Sequence, residues 1–146
     1  MRAITLTLAT AALGLAACGD ADTDAGVADA DAVVITVDGV SGPGTVYVAL
    51  QNEGVFGAAD ATYGATAGAA SGGSATATIT GVAPGQYAVA AFQDTNGNGQ
   101  LDIGANGVPS EPWALSNGAG TRGAPTFGDA RMDFSGGDRA AITLNR

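Results

Sequence analysis

Four oxygen-bearing side chains recur at short, regular intervals in one segment of the chain. Asp94, Asn96 and Asn98 alternate with other residues, Gly99 follows, and Asp102 closes the pattern D-x-N-x-N-G-x-x-D. Alternation puts the oxygens of positions 1, 3 and 5 on one side of the chain, and a glycine at position 6 permits the sharp bend after them. Because hard oxygen donors suit calcium, the spacing predicts a calcium site in this loop.

Two further groups are candidates to complete the ligand set. The carbonyl of Gln100, at position 7, should point inward. Position 12 of an EF-hand loop is a bidentate glutamate but here is Ala105, so we expect Glu111 to fold back and supply that carboxylate. With so few formal charges, the dissociation constant should be weak, on the order of 0.1 to 1 mM. The alternative is turn chemistry alone, since two Asn-Gly dipeptides in a row form turns without an ion.

Other kinds of site are limited by what the sequence lacks. It has no histidine and no lysine, and its single cysteine is Cys18, which leaves no histidine-based catalytic pair and no zinc or copper ligands. The net charge of −9 repels phosphate backbones and disfavours nucleic-acid binding. No catalytic residue is therefore predicted. The alternative is a glycan hydrolase that uses Glu111 with Asp94 or Asp102 as its carboxylate pair.

Trp113 is the candidate ligand-binding residue. It is the only tryptophan of the chain and closely follows Glu111. A lone tryptophan in a domain with few aromatic residues is more often part of the core. If it is exposed beside the loop instead, it offers a flat surface to a sugar or peptide.

The elements that position these residues have the patterns of strands. Thr45–Gln51 alternates apolar and other residues, and residues 32–40 before it are rich in β-branched side chains, so the two runs suggest a hairpin around the turn at 41–44. Residues 86–93 are apolar on both faces, which predicts a central strand, covered on both sides and with Phe92 buried, that leads directly into the loop.

Further strands are expected at residues 61–67, 75–82, 131–134 and 140–144, with glycine-rich connections between them. No stretch has the period of a long amphipathic helix. Short strands with frequent turns predict an all-β fold, an antiparallel β-sandwich of about seven strands.

The first part of the chain is expected to be an export signal. Residues 1–18 begin with a positive charge, continue as an apolar run too short to span a bilayer comfortably, and end Leu15-Ala16-Ala17-Cys18. This ending resembles the lipobox of bacterial lipoproteins, in which the cysteine is lipidated and becomes the new N-terminus. The alternative is an ordinary signal peptide with a chance cysteine. Gly19, where an aspartate would favour retention in the inner membrane, favours an outer-membrane lipoprotein facing the periplasm or the exterior.

The segment after Cys18 has little to bury. Residues 19–31 contain five aspartates, and such a self-repelling stretch is expected to be a flexible tether. The β-sandwich domain should then occupy residues 32–146. An anchored module of this kind would bind the membrane through the lipid on Cys18, and its further partner would be an envelope protein, a peptide or a glycan.

Several blocks of the sequence together resemble one bacterial family, domain of unknown function 2141 (DUF2141). The resemblance covers roughly residues 33–144 and rests on residues 85–94, the Asn-Gly repeat with Leu101-Asp102, residues 107–112, Ser116-Asn117, residues 124–127 and Asp129-Ala130. Trp113-Ala114-Leu115 departs from the family's usual residues. The resemblance implies a secreted domain with an immunoglobulin-like or transthyretin-like sandwich, and it implies no reaction.

The lipid anchor can be tested at Cys18. Cys18→Ser removes the thiol that would be acylated, so the variant should leave the membrane fraction or remain unprocessed. Cell fractionation with electrophoretic mobility measures this. A variant that fractionates and migrates like the wild type would contradict the lipobox interpretation.

Overall fold

The computed structural model of the protein describes residues 30–67 and 73–145. Cys18 and nearly all of the acidic tether lie outside the described residues. The described strands are β1 (Val33–Asp38), β2 (Thr45–Gln51), β3 (Tyr63–Thr66), β4 (Ser74–Ile79), β5 (Gly85–Asp94), β6 (Trp113–Leu115), β7 (Arg131–Phe134) and β8 (Arg139–Thr143). Short 3₁₀ turns occupy Glu53–Val55 and Ser116–Gly118, and a single helical turn, α1, occupies Phe127–Ala130. Within these ranges, no helix has the length and apolar character needed to cross a bilayer.

The strands form two sheets that pack face to face. The small sheet has the order β4-β1-β8, and the large sheet has the order β3-β2-β5, with β6 and β7 pairing one after the other along the remaining edge of β5. The predicted all-β sandwich is confirmed. One pair, β1 with β8, is parallel, whereas the other strand pairs are antiparallel.

The core consists of alternate residues from both sheets. Val33, Ile35 and Val37 of β1 are fully buried, and so is Leu50 of β2. The other face of β1 is only partly buried, and the other face of β2 runs from exposed Thr45 to buried Gln51. The period of two seen in the sequence therefore marks the inner face of each strand.

The expected hairpin between the first two strands is wrong. β1 pairs with β4 and β8, whereas β2 pairs with β3 and β5, so the link at 41–44 crosses from one sheet to the other. The fully buried side chain of Gln93 holds this crossing: its amide donates to the carbonyls of Ser41 (2.9 Å) and Pro43 (3.2 Å). Both strands bury an apolar face in the same core from opposite sides, and alternation alone does not distinguish this arrangement from a hairpin.

β5 is the central strand of the large sheet, as predicted. Its inner face carries Tyr87, Val89, Ala91 and Gln93, and its outer face carries Ala88, Ala90, Phe92 and Asp94. A small second cluster, including Ala119, Ala130 and Phe127, covers the outer face near Ala88. At the other end, the predicted burial of Phe92 is wrong, because this residue lies on the outer face and is only half-buried. Its ring stacks on Tyr47 of β2 with centroids 5.1 Å apart.

The two faces of the large sheet should respond differently to truncation. Leu50→Ala removes a fully buried side chain between the sheets and should lower the free energy of unfolding by about 2 to 5 kcal/mol. Phe92→Ala should cost less than a buried phenylalanine would, because its ring is half-exposed. Denaturant unfolding of both variants measures the difference. A larger loss for Phe92→Ala than for Leu50→Ala would contradict the placement of these faces.

Candidate functional site

The predicted ligand loop begins on a fixed part of the sandwich. Gln93 and Asp94 end β5, and both side chains are buried, with 0% and 2% of their surface exposed. The following residues, Thr95 to Gln100, are exposed. The first residue of the D-x-N-x-N-G-x-x-D pattern is thus held by the sheet, and the other residues of the pattern stand on turns outside it.

The carboxylate of Asp94 organises these turns through main-chain hydrogen bonds. Its Oδ1 accepts from the N–H of Gly97 at 2.7 Å and of Asn98 at 3.3 Å, and its Oδ2 accepts from the N–H of Gly99 at 2.7 Å. Burial raises the pKa of Asp94, but these N–H groups outweigh that effect and hold the pKa below its ordinary value. Asp94 is therefore an anion that the loop backbone solvates in place of water.

The oxygen of each asparagine side chain accepts one main-chain N–H of the loop. Oδ1 of Asn96 accepts from the N–H of Asn98 at 3.0 Å, and Oδ1 of Asn98 accepts from the N–H of Gln100 at 2.8 Å. The N–H of Asn98 is shared, because it also lies 3.3 Å from Oδ1 of Asp94. Two candidate ligand oxygens, one from Asp94 and one from Asn96, therefore meet at one donor.

Asp102 reaches the same two asparagines from the other side. Its Oδ2 accepts from the amide of Asn96 at 2.5 Å, and its Oδ1 accepts from the amide of Asn98 at 3.0 Å. The structure thus brings together all four side chains of the predicted pattern. Gln100 is exposed and contributes its N–H, while the predicted role of its carbonyl stays a prediction.

Glu111 folds back onto the loop but binds its backbone. Its side chain is buried, with 5% of the residue exposed. Oε1 accepts from the N–H of Thr95 at 2.8 Å and from the Thr95 hydroxyl at 3.1 Å, and Oε2 accepts from the N–H of Asp102 at 3.3 Å. Glu111 therefore braces the two ends of the ligand pattern. In the described ranges, no three acidic, histidine or cysteine side chains come together as a metal-ligand group. The candidate ligands in the loop are the carboxylates of Asp94 and Asp102 and the amides of Asn96 and Asn98.

Trp113 belongs to a row of aromatic residues on the outer face of the large sheet. It pairs with Phe92, and Phe92 pairs with Tyr47, so the three rings stand on adjacent strands. All three are half-buried. The segment after β6 packs closely on Trp113, since a methyl group added to Gly120 would lie 2.8 Å from its ring. Trp113 is neither a core residue nor a freely exposed one.

The row lies next to the loop, and it includes Tyr47, which was not among the site residues predicted from the sequence. A methyl group on Gly99 would lie 3.8 Å from the Tyr47 hydroxyl, so the loop and the aromatic row are neighbours. The signal was present in the sequence, because alternation along β2 places Tyr47 on the face opposite Val46 and Val48. What the sequence lacked was the register that aligns Tyr47 with Phe92.

Fold and site together define a small all-β sandwich with a polar, glycine-rich loop beside an aromatic row. The family model described as "Uncharacterized protein conserved in bacteria (DUF2141)" matches residues 35–142. The match covers most of the chain, and the protein belongs to the DUF2141 family. No curated protein and no solved structure gives a match. The family description names no activity, so the geometry of the site is the evidence that bears on function.

The buried charge of Asp94 predicts a specific loss of stability in acid. The folded-state pKa lies below the ordinary value of 3.8, so the contribution of Asp94 is fully present above about pH 3.8 and is lost as the pH falls through the folded-state value. Asp94→Asn should therefore be less stable than the wild type at neutral pH and should lose less stability on acidification. Denaturant unfolding over a series of pH values measures both.

Some acid dependence should remain in the variant. The hydroxyl and N–H of Thr126 lower the pKa of Asp129 in the same sense, so Asp129 continues to contribute. Parallel pH curves for the wild type and Asp94→Asn would mean that the loop N–H groups do not stabilise the Asp94 anion.

Proposed function

We propose that this protein is a lipid-anchored, non-enzymatic module of the bacterial cell envelope whose Asp94–Asp102 loop is ordered by calcium. The observation that carries this proposal is the convergence of Asp94, Asn96, Asn98 and Asp102. These residues supply only oxygen as ligand atoms, and two of them are carboxylates. Calcium is the common biological cation that best fits such a set.

The hydrogen bonds already present leave room for a cation. A carbonyl or carboxylate oxygen has two lone pairs, and each asparagine Oδ1 accepts a single N–H in the loop. The amide hydrogens of Asn96 and Asn98 now serve as the partners of Asp102. A divalent cation would replace these neutral donors with a stronger partner and would reduce the repulsion between Asp102 and Asp94.

The proposed cation would act on a surface as well as on the loop. Gly99 lies next to Tyr47, which stacks on Phe92, which in turn pairs with Trp113. Fixing the loop would therefore fix one border of the aromatic row. Half-buried aromatic rings with polar neighbours are suited to holding a ligand or partner, and Trp113 is the member of the row that follows the loop in the sequence.

A carboxylate hydrolase has less support from this geometry. The general acid of a glycosidase needs a raised pKa, whereas the pKa of Asp94 is held low. The oxygens of Asp94 and Glu111 also accept hydrogen bonds from the loop backbone, and both residues are buried. Holding a loop together is the simpler role for these two carboxylates.

Anchoring and location complete the proposal. A lipid on Cys18 would place the domain on the outer membrane, at the end of the acidic tether. A weak site suits such a location, because extracellular calcium modules work with dissociation constants on the order of 0.1 to 1 mM. The anchor and the calcium site are separate parts of the proposal, and each has its own test.

The calcium site predicts stabilisation by mass action. An ion that binds only the folded state should add about 2.7 kcal/mol at one hundred times its dissociation constant. Thermal melts of the protein in chelator, calcium and magnesium measure this, and magnesium should do much less because it requires a tighter octahedron.

Asp102→Asn is the sharpest variant for this test. It removes one negative charge but leaves the main-chain bonds of Asp94 intact. It should therefore reduce the rise in melting temperature that calcium causes, and it should change the melting temperature in chelator only a little. Asp133→Asn is the matched control, since it makes the same change in charge on β7, where the side chain accepts from the amide of Gln86. Identical wild-type melts in chelator and in millimolar calcium would leave Asn-Gly turn chemistry as the account of the loop.

A further inference from the structure

The two sheets differ in width on one side of the sandwich. β3 and β4 lie together on one flank, whereas on the other flank β8 ends the small sheet and the large sheet continues with β6 and β7. A groove of about 390 Å³ opens there, and its lining includes Leu115, Met132, Ala141, Ile142, Thr143 and Asn145. Met132 of β7 is only partly buried, although it packs against the core. The groove therefore lies where a fourth strand of the small sheet would stand.

The free edge of β8 faces this groove. The bonds from Val34 N–H to the Asp138 carbonyl (3.0 Å) and from Leu144 N–H to the Asp38 carbonyl (2.9 Å) fix the parallel ladder between β1 and β8. In such a ladder, the N–H and carbonyl groups of every second residue point to the paired strand. Those of Ala140 and Ile142 point to β1, so those of Arg139, Ala141 and Thr143 point away from it.

Asn145 confirms the direction of this edge. It lies two residues after Thr143, so its main-chain groups point to the same side. Its N–H donates to the carbonyl of Trp113 of β6 at 2.7 Å, and its carbonyl accepts from the N–H of Trp113 at 3.2 Å. β6 then ends at Leu115, and the turn Ser116–Gly118 leads the chain away, with the Ser116 hydroxyl bonding to Val89 N–H at 2.9 Å. In the part of the chain that the structure describes, β8 pairs with β1 alone along Arg139–Thr143.

The chemistry of the edge specifies its occupant. A row of outward N–H and carbonyl groups at strand spacing is matched by an extended peptide, and the groove beside it accepts every second side chain. Arg139 is exposed at the start of the edge, followed on the same face by the small residues Ala141 and Thr143. A segment that is apolar towards the groove and acidic opposite Arg139 is therefore complementary to it.

We infer that β8 accepts an extended segment of a partner protein as an additional strand of the small sheet. The segment alternates apolar and polar residues and carries an aspartate or glutamate opposite Arg139. A second copy of this chain is a poorer occupant, because each copy carries a net charge of −9 and the two would repel. The inference does not depend on the calcium loop, because the edge that it uses, Arg139–Thr143, includes none of the loop's residues.

The probe is a short synthetic peptide that alternates valine with threonine and has glutamate at one threonine position. It should bind the protein saturably and slow hydrogen exchange at the N–H groups of Ala141 and Thr143. Ala141→Pro removes an outward N–H and should weaken binding about tenfold, since proline is tolerated at the open side of an edge strand. Ala141→Val keeps the N–H, is the matched control, and should bind the peptide as the wild type does.

A charge exchange tests the same edge without proline. Arg139→Glu should weaken binding of the glutamate peptide and favour a peptide with lysine at that position, whereas Arg139→Lys should keep the original preference. Peptide binding should occur equally in chelator and in calcium, so failure of the calcium proposal would leave this result unaffected.

Three outcomes would overturn the inference. One is no binding to the wild type, and another is exchange protection away from β8 that Ala141→Pro and Arg139→Glu leave unchanged. The third is protection of Ala141 and Thr143 that rises with protein concentration in the absence of peptide, which would assign the edge to a second copy of the chain.

Discussion

The burial of one carboxylate, Asp94, shapes the end of the molecule that carries the candidate site. A charge with 2% of its residue exposed requires donors that replace water. The loop supplies them through main-chain N–H groups, and the turns that present them pass through Gly97 and Gly99 with φ of +78° and +75°, which glycine adopts without strain. Solvation of Asp94 therefore fixes the path of the loop, and that path places Oδ1 of Asn96 at the Asn98 N–H that Asp94 also accepts.

Two other buried polar side chains complete this end of the sandwich. Gln93 ties the crossing between the two sheets to β5, and Glu111 ties both ends of the ligand pattern to the start of β6. In both cases the partners are mainly backbone groups, so each residue specifies a chain path. A network in which every buried polar atom has a partner is rigid, and no unpartnered buried side-chain atom occurs among the described residues. The contacts of Gln93 and Glu111 therefore support the ends of an exposed loop in which four polar side chains come together.

The two candidate surfaces use different features of the same sandwich. The aromatic row of Tyr47, Phe92 and Trp113 uses side chains on the outer face of the large sheet. The edge of β8 uses main-chain groups, because among the described residues a three-stranded sheet faces a wider one and β8 has no second neighbour along Arg139–Thr143. Side-chain surfaces recognise shape and chemistry, whereas strand edges recognise extended backbone, so the surfaces suit different ligands.

Local patterns in the sequence predicted every described strand except β6, and they also predicted the ligand loop and the family. Strand alternation placed Val46, Val48 and Leu50 on one face, and the spacing of Asp94, Asn96, Asn98 and Asp102 identified side chains that the structure does bring together. The DUF2141 resemblance was confirmed. These signals are local, since each depends on residues only a few positions apart in the chain.

The pairing of the strands, and the choice of which face of β5 meets the core, depend on the folded arrangement of distant segments. β1 and β2 separated into different sheets, Phe92 turned outward to Tyr47, and Glu111 met backbone N–H groups. The physical reason is that alternation is unchanged when a strand is moved to the other sheet, and that a strand apolar on both faces can be turned over with little change in pattern. The sheet and the face of each strand are set by pairing between distant segments and by the packing of the two sheets. Neither can be inferred from the residues of one strand alone.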